Sequence, residues 1–219
     1  MAERAQPELI CQRLHKFFNA LGRHNFPFKE DVLPENGLYI LFEHGERAHG
    51  GIDRIVRIGT HRGRDNLRQR LSEHFLKKNK DRSIFRKNIG RALLNSRNDP
   101  FLAQWEIDLT PKAAREQYSG EVDLARLSEM ENQVSAVIRN SFTFCVYPVE
   151  DRQRRLELEA GMIATVSHCT GCRPSKNWLG NYSPKKQIRE SGLWLVQGMN
   201  GKGMTLAEID KLENCIGRT

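Results

Sequence analysis

Gly37-Leu38-Tyr39-Ile40-Leu41-Phe42, a second apolar run from Ile52 to Gly59, and Arg70-Leu71-Ser72-Glu73-His74-Phe75 together decide the fold. The first run is too short for a typical core helix and rich in strand formers. In the second, Ile52, Val56 and Ile58 stand among Asp53, Arg54 and Arg57. Glu43-His44-Gly45-Glu46 and Gly50-Gly51 supply turn residues between them, which predicts a hairpin with a long loop. Asp65 or Asn66 can cap the helix that follows, whose inner face carries Leu67, Leu71, His74 and Phe75. Arg70 and His74 are four apart there, so they share a side and can address one ligand.

Working outward, 219 residues suffice for one good core, and one elaborated domain over 1–219 is expected. The N-terminus has no signal-peptide core, and no apolar run approaches the roughly 18 residues of a membrane helix. A soluble, cytoplasmic protein with no membrane partner is expected. Five scattered cysteines, Cys11, Cys145, Cys169, Cys172 and Cys215, read as reduced thiols in that setting. The formal charge of +8 favours a polyanionic partner. Its distribution says more: Arg57, Arg62, Arg64, Arg68, Arg70, Lys77, Lys78, Lys80, Arg82, Arg86, Lys87 and Arg91 fall in one stretch. Only Asp65, Glu73 and Asp81 oppose them there.

Residues 8–21 predict an amphipathic brace helix, and Ser83 caps a helix running to about Asn95 with Phe85, Ile89, Ala92 and Leu93 inward. Lys87 and Arg91, one turn apart on another side of it, suit backbone phosphates or a solvated face. Residues 96–141 read as an insertion: a strand over Phe101 to Leu109, a short helix from Thr110-Pro111, and a longer one from Val122 to Asn140 with Leu124, Leu127, Val134 and Val137-Ile138 inward. Phe142 to Val149 predicts a third strand, and Glu150-Asp151 opens the next helix with acidic residues at its positive end. That helix carries a stripe of Leu156, Met162, Ile163 and Val166 with Glu159 on it, while Glu157 points elsewhere. A carboxylate on a buried stripe is costly unless it binds metal or forms a salt bridge. His168-Cys169-Thr170-Gly171-Cys172 has the spacing of half a zinc site. It reads as loop thiols unless Cys145 and Cys215 converge on it. A capped helix with a capping box at Thr205 and Glu208 closes the chain.

The ordered set Gly37-Leu38-Tyr39, Arg57-Ile58-Gly59 with Thr60, and Arg70 with His74 resembles the GIY-YIG nuclease family. Glu159-Ala160-Gly161-Met162-Ile163 resembles the segment in which the family's metal-binding glutamate precedes an aliphatic pair. Asn177, in Arg173-Pro174-Ser175-Lys176-Asn177-Trp178, stands where the family has its last asparagine, with Asn181 as runner-up. The resemblance implies an α/β (α+β) fold with a three-stranded, mixed central sheet flanked by helices, its core at about 37–95 and 142–180. It also implies metal-dependent hydrolysis of DNA phosphodiesters. Glu159 would hold Mg²⁺, or Mn²⁺ in its place, and Arg70 would clamp the phosphate. Tyr39 would take the proton of the attacking water, His74 would position Tyr39 or the phosphate, and Asn177 would orient loop or substrate. Arg62, Arg64, Arg68, Lys77, Lys78, Arg86, Lys87 and Arg91 would meet double-stranded DNA. A self-contained chain with internal insertions looks like a type II restriction endonuclease, which usually cuts as a homodimer. Arg57 departs from the family's tyrosine. It either favours the phenolate of Tyr39 or contacts phosphate. Two other readings stay open: a DNA-binding or repair-accessory protein that cleaves poorly, and an RNA-directed nuclease or binder.

Overall fold

The computed structural model describes residues 2–118 and 120–214, with side chains from residue 6 onward. Its centre is the expected hairpin. Strand β2 (Gly37–Ala48) turns through His49–Gly51 into β3 (Ile52–Thr60), with Tyr39 opposite Gly59 and Leu41 opposite Arg57. The third strand, β4 (Phe142–Pro148), joins β2 on its other edge, and the two-residue β1 (His24–Asn25) extends the sheet beyond it. The order is β1-β4-β2-β3. The sheet therefore has four strands rather than three. Every pairing is antiparallel rather than mixed.

Alternation along β2 divides the core. Leu38, Ile40 and Phe42 face a cluster covered by α1 (Ala2–Ala20), α7 (Arg152–His168) and α9 (Leu206–Asn214). Tyr39 and Leu41 face the other cluster, covered by α2 (Leu67–Phe75), α3 (Ile84–Ser96) and α6 (Leu124–Ser141). This is the period-two rule applied to a strand buried on both faces. Ser83 caps α3 by accepting the Arg86 N–H, and Asp151 caps α7 through the Arg154 N–H. Thr205 and Glu208 form the reciprocal capping box before α9.

The segment expected as an extra strand is a helix, α4 (Leu102–Glu106). Phe101 and Trp105 lie four apart, so a helical turn buries both while leaving Ala103 outside. Trp105 fits a notch that Gly90 opens in α3, where an added Cβ would lie 2.3 Å from its ring, and its indole N–H donates to the Lys87 carbonyl at 2.9 Å. Docking thus overrode the alternation. The short helix α5 (Lys112–Gln117) starts after Pro111 as expected. On α6, Val134 and Ile138 are buried, but Leu124 is exposed at the helix start, contrary to its assignment as inward. After α7 the chain forms a short turn at Leu179–Tyr182 and α8 (Lys186–Ser191), then returns to β3, where the Trp194 N–H donates to the Val56 carbonyl at 2.8 Å. The buried Glu43 carboxylate holds this return by accepting both the Trp178 and Trp194 indole N–H groups, at 2.8 and 2.9 Å.

Candidate active site

Strand β3 is an edge of the sheet, so side chains from both layers can meet around it. They enclose an open cavity of about 640 Å³. Tyr39 reaches it from β2, Arg57 and Thr60 from β3, Arg70 from α2, Asn88 from α3, and Glu159 with Ala160 and Ile163 from α7. Glu159 is the single carboxylate among the described lining residues, facing Arg57, Arg62 and Arg70.

Tyr39 is gripped on several sides. Its hydroxyl lies 2.8 Å from His74 Nε2 and accepts from Arg57 Nη2 at 3.5 Å. Gly59 is what lets the ring lie across β3: a Cβ there would stand 2.3 Å from the Tyr39 hydroxyl. His74 is fully buried and bridges Tyr39 to Ser83 Oγ, 2.7 Å from its Nδ1. Burial holds its pKa well below the ordinary histidine value, reinforced by Arg70, Arg57 and Arg86. The ring is therefore neutral, with one donor and one acceptor nitrogen, and matches its two hydroxyl neighbours. His74 is not among the described residues that line the cavity and meets it through the Tyr39 hydroxyl.

Arg57 is buried, donating to the Trp194 carbonyl and lying over the Phe85 ring at 5.3 Å. Burial works against the charge of Arg70, but the Tyr39 hydroxyl and Glu73 outweigh it and hold its pKa above the usual arginine value. Glu159 Oε1 accepts the Thr60 N–H at 3.0 Å. Burial raises its pKa, while that hydrogen bond, Arg57 and Arg70 oppose the rise. The helix register differs from expectation: Leu158, Met162, Ile163 and Val166 are buried, and Leu156 is a cavity-edge residue 36 % exposed. Glu159 thus lies beside the buried stripe rather than within it, at the cavity. Glu157 faces solvent, accepting from Gln153 at 3.1 Å.

Asn177 is exposed and lies outside the cavity, and Asn181 is spent on the Ser175 and Lys176 carbonyls at 2.9 and 3.0 Å. The asparagine that lines the cavity is Asn88, whose Oδ1 accepts from Arg91 at 2.6 Å while its buried Nδ2 has no partner among the described residues. His61 was also missed. Its Nε2 accepts the Gly37 N–H at 3.4 Å, and burial lowers its pKa. A signal for Asn88 was available: it is a polar residue between Phe85 and Ile89 on a helix whose inner face is otherwise apolar.

The basic stretch divides in two. Arg62, Arg64, Lys77 and Lys78 are exposed, whereas Arg68 is half-turned inward, donating to the Leu33 carbonyl at 2.7 Å. Arg86 is fully buried in a salt bridge with Glu131 at 2.5 Å and a hydrogen bond to Ser135 at 2.7 Å. Lys87 bonds Asp81 at 3.1 Å and the Glu106 carbonyl at 2.9 Å, and Arg91 grips the Glu106 carboxylate through two bonds of 2.5 Å. These three side chains fasten α4 and α6 to α3, their charges paired within the chain as charges buried in the interior must be.

The family model described as GIY-YIG domain matches residues 14–219. The chain belongs to the GIY-YIG family. A nuclease-type function goes with that membership, and nucleases of the GIY-YIG family generally depend on a divalent metal. No curated protein and no solved structure matches the chain. Among the described residues no helix is long and apolar enough to cross a membrane. The cavity's donor set fits a hard divalent cation: one carboxylate, fixed through one oxygen by a backbone amide, in a space open to water. Magnesium takes few carboxylates and keeps several waters, so this sparse set suits it.

Proposed function

We propose that this GIY-YIG chain is a magnesium-dependent DNA endonuclease of restriction type. The observation that carries the reading is the convergence of Tyr39, Arg57, Arg70 and Glu159 on one cavity. Glu159 would hold the cation, which supplies charge stabilisation at the scissile phosphate and the leaving oxygen when bound. Arg70 presents a planar, always-charged fork to the phosphate and stabilises the charge that develops in the transition state. Tyr39, its oxygen held by His74 Nε2 at 2.8 Å and Arg57 Nη2 at 3.5 Å, would take a proton from the attacking water. Neutral His74, anchored on Ser83, keeps that oxygen aimed while Gly59 leaves room for the ring. Asn88 Nδ2 offers a further donor to a bound phosphate oxygen.

Arg57 in place of the family's tyrosine favours a second reading, a DNA-binding relative with little cleavage. Nicking of supercoiled plasmid in magnesium, abolished by a chelator and restored by magnesium or manganese, supports the endonuclease. Duplex DNA binding without nicking in either metal supports the binder. RNA outcompeting duplex DNA for the protein would overturn both.

The divided basic stretch makes a sharper forecast for binding. Each phosphate neutralised on duplex DNA contributes about 0.9 to the slope of log affinity against log salt. Lys77→Ala and Lys78→Ala should each lower the slope by about that amount, measured by fluorescence anisotropy across salt concentrations. Arg91→Met, which removes a pair internal to the fold, should leave the slope unchanged. Equal slope losses in all three variants would show that Arg91 leaves Glu106 to bind DNA.

A further inference from the structure

Outside the catalytic cavity, three segments far apart in sequence bring together a second set of metal-ligating side chains. Cys11 comes from α1, His49 from the β2–β3 turn, and Cys169 and Cys172 from the loop after α7. We propose that Cys11, His49, Cys169 and Cys172 are the four ligands of one structural zinc ion.

The geometry is that of a small tetrahedron. One atom from each residue lies within 4.8 Å of all the others. Zinc bonds of about 2.3 Å to sulfur and about 2.0–2.1 Å to nitrogen place two sulfurs about 3.8 Å apart, and sulfur and nitrogen about 3.6 Å apart. Cys11 Sγ and Cys172 Sγ are 3.6 Å apart, and Cys169 Sγ lies 3.5 Å from His49 Nε2. Three thiolates and one imidazole in a closed arrangement suit zinc rather than magnesium, and a four-ligand protein shell leaves no open position for chemistry.

The chain around these residues is shaped to present them. His49 has φ +26°, which a side chain of its kind rarely adopts, and glycines with φ +77° and +91° follow it. Gly171, inside the Cys-x-x-Cys turn, packs close to the site: a Cβ there would stand 3.0 Å from His49 Cε1 and would displace the end of the exposed Glu8 side chain. The three cysteines are buried, and His49 is partly so. Each thiol gives its proton to solvent as its thiolate takes the metal. His15 lies beside the cluster, its Nδ1 2.9 Å from the Cys11 carbonyl and 3.5 Å from Cys11 Sγ, but it is not one of the residues whose ligand atoms all lie within 4.8 Å of one another. Cys145 lies elsewhere, near the Phe18 carbonyl at 3.7 Å, and Cys215 falls outside the described residues. Among the described residues the partners of the Cys-x-x-Cys pair are therefore Cys11 and His49 rather than Cys145. Cys169 follows Glu159 on α7 by ten residues, about 15 Å of helix. The site would thus pin the far end of the helix that carries Glu159.

The test is the metal content of full-length protein purified from zinc-supplemented medium without chelators. Elemental analysis should find about one zinc per chain, and a mercurial that titrates thiols should release it into a colorimetric zinc indicator. Cys172→Ser and Cys11→Ser should lose the zinc, while Cys145→Ser keeps it. Should the first two fail to fold, cobalt exchanged into the wild-type protein decides: a thiolate charge-transfer band with strong tetrahedral visible bands is expected. Iron in place of zinc, a Cys11–Cys172 disulfide found by mass spectrometry, or cobalt with no charge-transfer band would each overturn the proposal. None of these readouts depends on DNA cleavage.

Discussion

Tyr39→Phe and Arg70→Ala should each lower single-turnover cleavage by about 10²- to 10³-fold, equivalent to about 2.7–4 kcal/mol of transition-state stabilisation. DNA affinity should change little beside that. Tyr39→Phe removes one oxygen from a ring that stays packed beneath Gly59, so the cavity keeps its shape. Losing that oxygen leaves His74 Nε2 and Arg57 Nη2 facing a gap, but neither group is part of the sheet's hydrogen bonding. Arg70 also bonds Glu73 and the Arg82 carbonyl, both at 3.0 Å, so Arg70→Ala loosens the link between α2 and α3 as well. Arg70→Lys separates the two effects, since it keeps the charge and loses the planar fork. A lysine variant that cuts at the wild-type rate would show that Arg70 acts as a point charge. Near-normal cutting by Tyr39→Phe would remove Tyr39 from proton transfer. Neutral His74 adds a check: the rate should show no acidic limb near pH 6.5, where free imidazole titrates, because its pKa lies well below that value.

What could be read from the sequence was whatever a local period or cap encodes. The hairpin, the Ser83 and Asp151 caps, the Thr205 capping box and the face carrying His74 all follow from residues within a few positions of one another. What escaped was decided by partners distant in sequence. The alternation of Phe101, Ala103 and Trp105 suggests a strand until Gly90, eleven positions before Phe101, supplies the notch that takes Trp105 as part of a helix. Arg86, Lys87 and Arg91 look like a phosphate-binding row because their pairings with Glu131, Asp81 and Glu106 are made by the packing of α3 against α4, α6 and the preceding loop, which no local period encodes. Cys11 and His49 precede Cys169 by more than a hundred residues, and no spacing rule joins them. Glu159 was legible as a carboxylate on α7, though it was assigned to the apolar stripe that it in fact borders. Its contact with Thr60 was not, because that contact depends on where α7 crosses the edge of β3.

The paired substitutions Glu159→Gln and Glu157→Gln should separate most sharply. Glu159→Gln keeps an oxygen acceptor for the Thr60 N–H, the contact that ties this side chain to the sheet. Its structural partner is a backbone amide rather than a cation, so the fold should survive with an unchanged melting temperature. What is lost is the negative charge, the single carboxylate charge among the described residues lining the cavity. Cleavage in magnesium should fall below detection. DNA binding should hold or tighten, because a carboxylate no longer repels the incoming phosphate. Glu157→Gln removes the same charge two residues earlier on the same helix, where the carboxylate faces solvent beside Gln153 and 3.9 Å from Arg154. Exposed pairs of that kind contribute about 0–1 kcal/mol, so cleavage and stability should both stay near wild type. An unfolded Glu159→Gln protein would assign the residue to the architecture, since loss of a buried charge partner costs about 3–5 kcal/mol. A folded Glu159→Gln protein that still cuts would place the cation elsewhere and remove Glu159 from the chemistry.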